Sequence, residues 1–185
     1  MRVHVITEGR TDAWVLKQIL TDAVPFDAFR VVFGEGQYDA VSIARKILVT
    51  RPDCVALVVD ADTHHAKRIE ETRGMLQGSL GAVAEQERFK VILAIPEFET
   101  VFFQDKRILT MFPEFSDVEV CIRSEYEPKN VLQKLFKSSE DPTCPKTFEE
   151  LVERLDLKEL QRHPLILELV DFIHAAACTQ VESGR

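Results

Sequence analysis

The sequence predicts an α/β fold, in which a four-stranded, mainly parallel sheet carries helices on both faces. Short β-branched, apolar runs alternate with amphipathic stretches through the first half of the chain, as they do in βαβ units. The run CVALVV at 54–59 is apolar throughout, which is typical of a central strand buried on both faces. After residue 103 the alternation is replaced by helical patterns. We therefore expect a sheet domain over residues 1–105 and a mostly helical extension over 106–185 that packs on it.

The first strand–helix–strand unit is predicted within the first 33 residues. A β-branched run at 2–6 predicts the first strand, and apolar residues recur at helical spacing over 12–23, which predicts the first helix. Thr11 stands just before this helix and is its predicted N-cap. The run FRVVF at 29–33 predicts the second strand.

The alternation continues with two more helices and two more strands. Apolar residues share one face of a predicted helix over 39–49, and the apolar run at 54–59 follows it as the third strand. A polar helix is predicted from about 64 to 81, and the fourth strand over 89–95. Pro96 ends that strand because proline has no N–H for the ladder.

The segment after residue 103 has a different organisation. The segment VEVCI at 118–122 is rich in β-branched residues, which predicts one further strand. Helical patterns over 128–136, 148–155 and 165–177 predict the helical extension. The last of these has a broad apolar stripe, which favours packing on the sheet domain over binding to a partner.

Composition and charge exclude several classes of protein. With 185 residues, 45% of them hydrophobic and 29% charged, the chain has the balance of one globular domain rather than of a disordered protein. No apolar run approaches the ~20 residues that cross a bilayer, so we expect no membrane span and a cytoplasmic protein. The net charge of −8 excludes a polycation that wraps nucleic acid by bulk charge. The four cysteines share no Cys-x-x-Cys spacing, which predicts reduced thiols rather than a zinc site.

Acidic residues follow three of the four predicted strands. They are Glu8 and Asp12 after the first strand, Asp60 and Asp62 after the third, and Glu97 and Glu99 after the fourth. Ligands of a parallel α/β sheet bind outside the carboxyl ends of its strands. A strand order of 2-1-3-4 makes these three strands neighbours, and the acids then converge on one edge. Such a cluster predicts a divalent-metal site, because carboxylates at close range repel one another unless a cation lies among them.

The predicted cofactor is Mg²⁺ or Mn²⁺, as one or two ions. Mg²⁺ takes oxygen ligands and is usually held by a few carboxylates plus a substrate phosphate. Two ions can clamp the attacking and leaving oxygens of a phosphodiester displacement, and they need more acids than one ion does. Local roles compete at Asp12 and Glu97, where a carboxylate also stabilises the exposed amides of a helix start. Because residues two apart in a helix point in different directions, only one of Glu97 and Glu99 is expected to be a ligand.

The acidic motifs resemble the Toprim domain. The first strand is followed by EGRTD at 8–12, and a later strand ends in DAD at 60–62. This pairing is similar to that of topoisomerases, DnaG-type primases, OLD-family nucleases and small ribosomal-RNA maturation nucleases. The segment IPEFE at 95–99, followed by Asp105, resembles the third acidic motif of stand-alone, OLD-like members. The resemblance covers residues 1–105.

The resemblance implies a Toprim-like, Rossmann-type fold and a metal-dependent nuclease. It makes Glu8 a metal ligand or a general acid or base, and it makes Asp60 and Asp62 metal ligands. Asp12 and Glu99 complete a second metal position of the OLD type, which selects Glu99 over Glu97 as the ligand of the third motif. Topoisomerase activity is not expected, because the only tyrosines are Tyr38 and Tyr126 and neither lies in a recognisable strand-passage module.

The implied substrate is DNA or RNA. Arg10 lies inside the first motif and Lys67 just beyond the second, so both are candidates to hold the phosphate backbone, with a solvated helix face as the alternative. The chain lacks the P-loop pattern, so an ATPase of the kind fused to Toprim in OLD proteins would be a separate subunit. The resemblance suggests such a pairing in phage defence, and it leaves a homodimer open.

Two other functions fit parts of the pattern. A non-catalytic Toprim module that binds nucleic acid or a partner would use the same fold without cleavage. The segment DADT at 60–63 also resembles the first motif of haloacid-dehalogenase-type phosphatases, in which the first aspartate is a nucleophile. The later acidic pair of that family is not found, and the motif at 8–12 would have no role in it. A nuclease is therefore the first hypothesis.

Overall fold

The architecture is that of a four-stranded parallel sheet between two layers of helices, seen in a computed structural model that describes residues 2–138 and 141–182. The strands are β1 (Val3–Thr7), β2 (Phe29–Phe33), β3 (Cys54–Asp60) and β4 (Phe89–Ala94). Their order is β2-β1-β3-β4, and every neighbouring pair is parallel. The predicted fold class and strand order are confirmed. Residues 139, 140 and 183–185 of the predicted extension lie outside the described part of the chain.

The helices connect the strands and then form the C-terminal half. The described α-helices are α1 (Arg10–Thr21), α2 (Gln37–Thr50), α3 (Ala66–Gly81), α4 (Ile108–Met111), α5 (Val118–Tyr126), α6 (Pro128–Ser138), α7 (Phe148–Arg154), α8 (Leu157–Leu160) and α9 (Pro164–Glu182). A 3-10 helix over Phe98–Gln104 follows β4. Within the described ranges, no helix is both long and apolar enough to cross a bilayer.

Each face of the sheet has its own core. On one face, Leu48 of α2 and Leu80 of α3 are fully buried in a cluster with alternate residues of the strands. On the other face, Leu16 of α1 and Leu169 of α9 are fully buried in a cluster that extends through the C-terminal helices. Both faces are therefore covered, which explains why Cys54 to Val59 of β3 are all buried.

The predicted strand at 118–122 is wrong, because these residues begin helix α5. The side chain of Asp117 accepts a hydrogen bond from the N–H of Glu119 and caps the helix. Val120 packs against the core, whereas Val118 is 71% exposed. A β-branched, apolar segment is stable as a strand only when a neighbouring strand pairs with it, and none of the described strands pairs with this segment.

The predicted N-cap of the first helix is also wrong. α1 begins at Arg10 after the extended residue Gly9, and Thr11 lies inside the first turn. The carboxylate of Asp12 accepts from the backbone N–H of Gly9, as the acidic half of a capping box does. A side chain at position 9 would stand 3.2 Å from Oδ2 of Asp12, so glycine allows this close approach.

Gly34 supports the loop beside the first acidic motif, and alanine is expected to destabilise the protein there. Its N–H donates to the carbonyl of Thr7, at the end of β1. A Cβ at position 34 would lie 2.5 Å from the backbone nitrogen of Ala40, in α2. We expect Gly34→Ala to lower the free energy of unfolding by about 2 kcal/mol, because the helix backbone must shift. The measurement is urea denaturation.

Gly74 provides the matched control. It lies within α3, and a Cβ there would meet nothing within 4 Å. Gly74→Ala is expected to raise the free energy of unfolding by about 0.5–1 kcal/mol, because alanine favours a helix over glycine. Equal stability of the Gly34→Ala variant and the wild type would contradict the close packing of this loop.

Candidate functional site

The loops that follow β1, β3 and β4 meet at the carboxyl edge of the sheet. The N–H of Asp60, the last residue of β3, donates to Oε1 of Glu8 at 3.2 Å. The N–H of Phe98, after β4, donates to Oδ1 of Asp60 at 2.8 Å. These two hydrogen bonds join the first acidic motif to the second and the second to the third. Parallel strands with neighbouring carboxyl ends bring them together.

Glu99 is the most deeply buried acid of this edge. Its residue is 2% exposed, and its Oε2 has no hydrogen-bond partner among the described residues. A buried acceptor without a partner is costly, so such an atom is commonly completed by an ion or water. Asp12, from the first turn of α1, is close enough for its charge to act on Glu99.

Burial raises the pKa of the inner carboxyl groups. Desolvation, and after it the charges of Glu99 and Asp12, raise the pKa of Asp60 to about 8. Desolvation also raises the pKa of Glu99 to about 7, although Lys129 opposes this. The pKa of Glu8 and that of Asp12 are raised by desolvation as well. Full ionisation of the cluster is therefore unfavourable without a cation.

Lys129, the second residue of α6, enters this cluster. Its Nζ lies 3.4 Å from Oε1 of Glu99. Burial alone would lower the pKa of Lys129, but the charges of Glu99, Asp12 and Asp60 outweigh burial and raise it. Sequence reasoning missed this residue, because nothing in the segment around it distinguishes it from the other lysines of a solvated helix.

Glu97 and Glu99 serve different parts of the structure. Oε2 of Glu97 accepts the backbone N–H of Lys129 at 3.0 Å, at the N-terminus of α6. A carboxylate is favourable there, because the first amides of a helix have no partner in the helix. Glu97 is thus a helix-start acid, as expected, but for α6 and not for the 3-10 helix that directly follows it. Glu99 faces the acid cluster.

Asp62 lies at the rim of the cluster. It is exposed, and its backbone is left-handed with φ 51°, which aspartate tolerates better than most residues. Its N–H donates to the carbonyl of Pro96 at 2.9 Å. After desolvation, the charge of Asp62 is among the causes that raise the pKa of Glu8. These two carboxylates are therefore near neighbours.

Asp105, in contrast, belongs to another network. It is 4% exposed and accepts hydrogen bonds from Nε of Arg107 at 2.8 Å and from the N–H of Asp156 at 2.7 Å. Burial alone would raise the pKa of Asp105, but these bonds hold it below its usual range. The hydrogen bond from Asp156 connects the segment after the third motif to the N-terminus of α8.

The two basic candidates lie on the surface. Arg10 is exposed at the start of α1, with its guanidinium carbon 5.6 Å from the ring centre of Phe33. Lys67 is exposed on α3, where its Nζ lies 3.7 Å from Oε1 of Glu71. The contact of Lys67 is that of a solvated helix face, whereas Arg10 stands within the first acidic motif.

No three His, Cys, Asp or Glu side chains in the described part of the chain are arranged to hold a metal ion. The nearest positive group that we find for Glu99 is the ammonium of Lys129.

No protein-family model and no curated protein matches this sequence. The assignment of function therefore depends on the residues and geometry of the site.

The stability of the metal-free protein is expected to fall as the pH rises. A carboxyl whose pKa is raised in the folded state stabilises the fold fully below its unfolded pKa, near 4, and this contribution is lost as the pH passes the folded pKa. For Glu99 and Asp60 the loss begins near the unfolded pKa and is complete around pH 7 and pH 8, respectively. His163, whose pKa is lowered by burial, acts in the opposite direction but is a single group.

Urea denaturation in EDTA measures this effect. We expect the free energy of unfolding to fall on the order of 2 kcal/mol between pH 5 and pH 8. The Glu99→Gln variant should show a smaller fall, because glutamine does not ionise. Stability that is unchanged or higher at pH 8 would contradict the raised pKa values.

Proposed function

We propose that this chain is a Toprim-type phosphodiesterase that cleaves DNA or RNA with Mg²⁺ or Mn²⁺. The observation that carries the proposal is the convergence of Glu8, Asp12, Asp60 and Glu99 at the carboxyl edge of the sheet. A structural ion pair with one lysine needs only one acid, so it does not explain four acids at this edge. Buried acids with raised pKa values are costly, and proteins commonly have them where a ligand binds or a reaction occurs.

The chemistry of the donor set suits a hard divalent cation, although the described side chains are not arranged around one in the metal-free protein. The cluster offers only carboxylate oxygens, which Mg²⁺ and Mn²⁺ prefer. Oε2 of Glu99 is buried with no hydrogen-bond partner within residues 2–138 and 141–182. One oxygen of Asp60 accepts the N–H of Phe98, which leaves the other for a ligand. Asp12, Asp60 and Glu99 would hold the ion, with Asp62 at the rim, and Glu8 would be either a further ligand or the general base. When bound, the ion polarises the phosphate and lowers the pKa of a water.

The residues of the chain have separate roles in the proposed reaction. A water oxygen attacks phosphorus, the ester P–O bond to one nucleoside breaks, and the leaving oxygen takes a proton from solvent. The Glu8 carboxylate takes the proton from the attacking water, because its pKa is raised towards the range in which a carboxylate is an effective base. Lys129 offsets negative charge on the phosphate as it offsets that of Glu99.

Nucleic acid and protein partners belong to the same proposal. Arg10 is exposed at the start of α1, within the first acidic motif, and is our first candidate for a phosphate contact, with Lys67 the second. The acidic chain attracts phosphate only where such local cations or a bound metal offset its charge. A separate ATPase subunit, as in OLD-like phage defence, and a homodimer are further parts of the hypothesis.

Cleavage assays with the purified chain test the proposal. Supercoiled plasmid, single-stranded DNA and a structured RNA are incubated with Mg²⁺, Mn²⁺ or EDTA. We expect cleavage with Mg²⁺ or Mn²⁺ and none with EDTA. Nucleic-acid binding without cleavage in any metal would favour the non-catalytic module, and metal-dependent hydrolysis of p-nitrophenyl phosphate alone would favour the phosphatase.

A further inference from the structure

A cavity of about 530 Å³ opens at the amino edge of the sheet, at the opposite end of the strands from the acid cluster. Arg2 and Asp53 line it directly before β1 and β3, and Asp27 and Ala28 line it before β2. β3 is seven residues long, so the two edges of the sheet lie ~20 Å apart. The cavity is therefore separate from the acid cluster, and its volume suits a small molecule.

Three arginines from separate segments of the chain line this cavity. Arg2 directly precedes β1, Arg30 is the second residue of β2, and Arg51 follows α2. Nε of Arg2 donates to the carbonyl of Asp27 at 3.0 Å, which holds this side chain at the wall. Among the side chains that the structure describes, none of the three guanidiniums makes an ion pair. In a chain with 31 acidic and 23 basic residues, three such arginines at one cavity indicate a site for an anion.

His4 forms a buried part of the same cavity. It is 3% exposed and lies beside Arg30 in the register of β1 and β2. Its Nε2 lies 3.0 Å from Oδ2 of Asp53, whereas its Nδ1 is buried with no hydrogen-bond partner among the described residues. A buried ring nitrogen without a partner is costly, so such an atom is commonly completed by a ligand or by water. His4 is thus a second, independent indication of a ligand here.

Asp53 orients His4 and does not neutralise the cavity. Its Oδ1 accepts the backbone N–H of Arg2 at 3.1 Å, and its Oδ2 lies against Nε2 of His4. Burial alone would raise the pKa of Asp53, but these contacts and the charge of Arg51 hold it below its usual range. With three arginines against Asp53 and Asp27, the cavity remains positive in a chain of net charge −8.

We propose that this cavity binds the phosphate group of a small phosphate monoester through Arg30, Arg51 and His4. Guanidinium groups donate pairs of hydrogen bonds to phosphate oxygens, and a phosphate has enough oxygens for two guanidiniums and an imidazole, whereas a carboxylate has only two oxygens. A phosphate monoester carries ~1.5–2 negative charges at pH 7, so it suits a compact positive cavity better than a singly charged phosphodiester does. The site does not depend on the proposed nuclease activity.

Titration calorimetry in EDTA tests the site, because EDTA keeps divalent ions from the acid cluster. The probes are inorganic phosphate, adenosine 5′-monophosphate and adenosine. We expect one phosphate or one adenosine 5′-monophosphate to bind per chain, and adenosine not to bind. Arg30→Gln and Arg51→Gln should each weaken binding of adenosine 5′-monophosphate at least ~10-fold, because charge-assisted hydrogen bonds are lost. The control Arg68→Gln, an exposed arginine of α3, should bind as the wild type does.

Nitrogen NMR of the wild-type imidazoles tests the role of His4 without a substitution in the core. Addition of inorganic phosphate should shift the Nδ1 resonance of His4, because this nitrogen gains a hydrogen-bond partner. The resonances of His163, which does not line the cavity, should stay unchanged. A His4 signal that does not respond to saturating phosphate would overturn the inference.

The remaining outcomes distinguish this site from other surfaces and from the nuclease. No binding of either phosphate probe, binding of adenosine as tight as that of its monophosphate, or equal binding by wild type, Arg30→Gln and Arg51→Gln would overturn the inference. So would binding of a single-stranded oligonucleotide without a terminal phosphate in place of the monoester. Binding of adenosine 5′-monophosphate that Asp60→Asn retains, in a chain that cleaves no nucleic acid, would support the inference and remove the nuclease.

Discussion

Replacing Asp60 by asparagine is expected to abolish cleavage while making the metal-free protein more stable at pH 8. Cleavage with Mn²⁺ should fall at least ~100-fold, because a carboxylate of the proposed ion site is lost. The free energy of unfolding at pH 8 should rise on the order of 2 kcal/mol, because burial and the neighbouring acids raise the pKa of Asp60 to about 8 and asparagine does not ionise. The amide oxygen can still accept the N–H of Phe98, so the local structure is kept.

The pH dependence separates this effect from a general change in stability. The gain of Asp60→Asn over wild type should vanish below about pH 3, where the wild-type carboxyl is protonated in both states, and should grow towards pH 8. Asp171→Asn, on the exposed side of α9, is the control and should change neither activity nor stability. A variant that melts far below wild type, with no Mn²⁺ shift in either protein, would mark Asp60 as structural.

Asp62→Asn should lose activity without the gain in stability. Asp62 is exposed, so its charge costs little in the metal-free protein. Its backbone is left-handed, and asparagine adopts that conformation readily. The same pair of assays distinguishes a buried ligand from one at the rim.

The second large effect is expected at Glu99. Glu99→Ala should reduce metal-dependent cleavage at least ~100-fold, because it removes the buried carboxylate that pairs with Lys129 and has an unpartnered oxygen. Glu97→Ala should retain most of the activity and lower the free energy of unfolding by about 1 kcal/mol, because the N-terminus of α6 loses a carboxylate. Initial cleavage rates and urea denaturation measure the two effects.

A third variant, Glu97→Gln, checks the role assigned to Glu97. Glu97→Gln keeps an oxygen that can accept the N–H of Lys129, so it should be more stable than Glu97→Ala. Activity kept by Glu99→Ala but lost by Glu97→Ala would exchange the two roles. Activity kept by both variants would remove the third acidic motif from the site.

Much of the sheet could be predicted from local patterns. The strands at 29–33 and 54–59 were recognisable because apolar, β-branched runs of that length are bounded by turn or polar residues. The same pattern failed at 118–122, where a β-branched, apolar run predicts a strand and the protein has α5. An apolar, β-branched run indicates which side chains favour burial. An extended backbone is favourable there only when a neighbouring strand pairs with it.

The meeting of Glu8 and Asp60 was also predictable, whereas the fate of Asp105 was not. Residues that directly follow neighbouring parallel strands reach the same edge, so the strand order is sufficient to bring these two acids together. Asp105 lies several residues beyond β4, and its direction depends on Arg107 and Asp156. Partners that distant in the chain leave no local pattern.

By itself the sequence determined the parallel sheet and the edge at which its acids gather, because strand periodicity and strand ends are properties of consecutive residues. Only the tertiary structure decided that Lys129 joins these acids and that Glu97 caps α6 while Glu99 faces the cluster. α6 begins about thirty residues after β4, and its position depends on packing Val131 and Leu132 into the shared core. The charge of the site is therefore set by a contact between distant segments, whose free energy comes from burial of apolar residues that have no part in the chemistry.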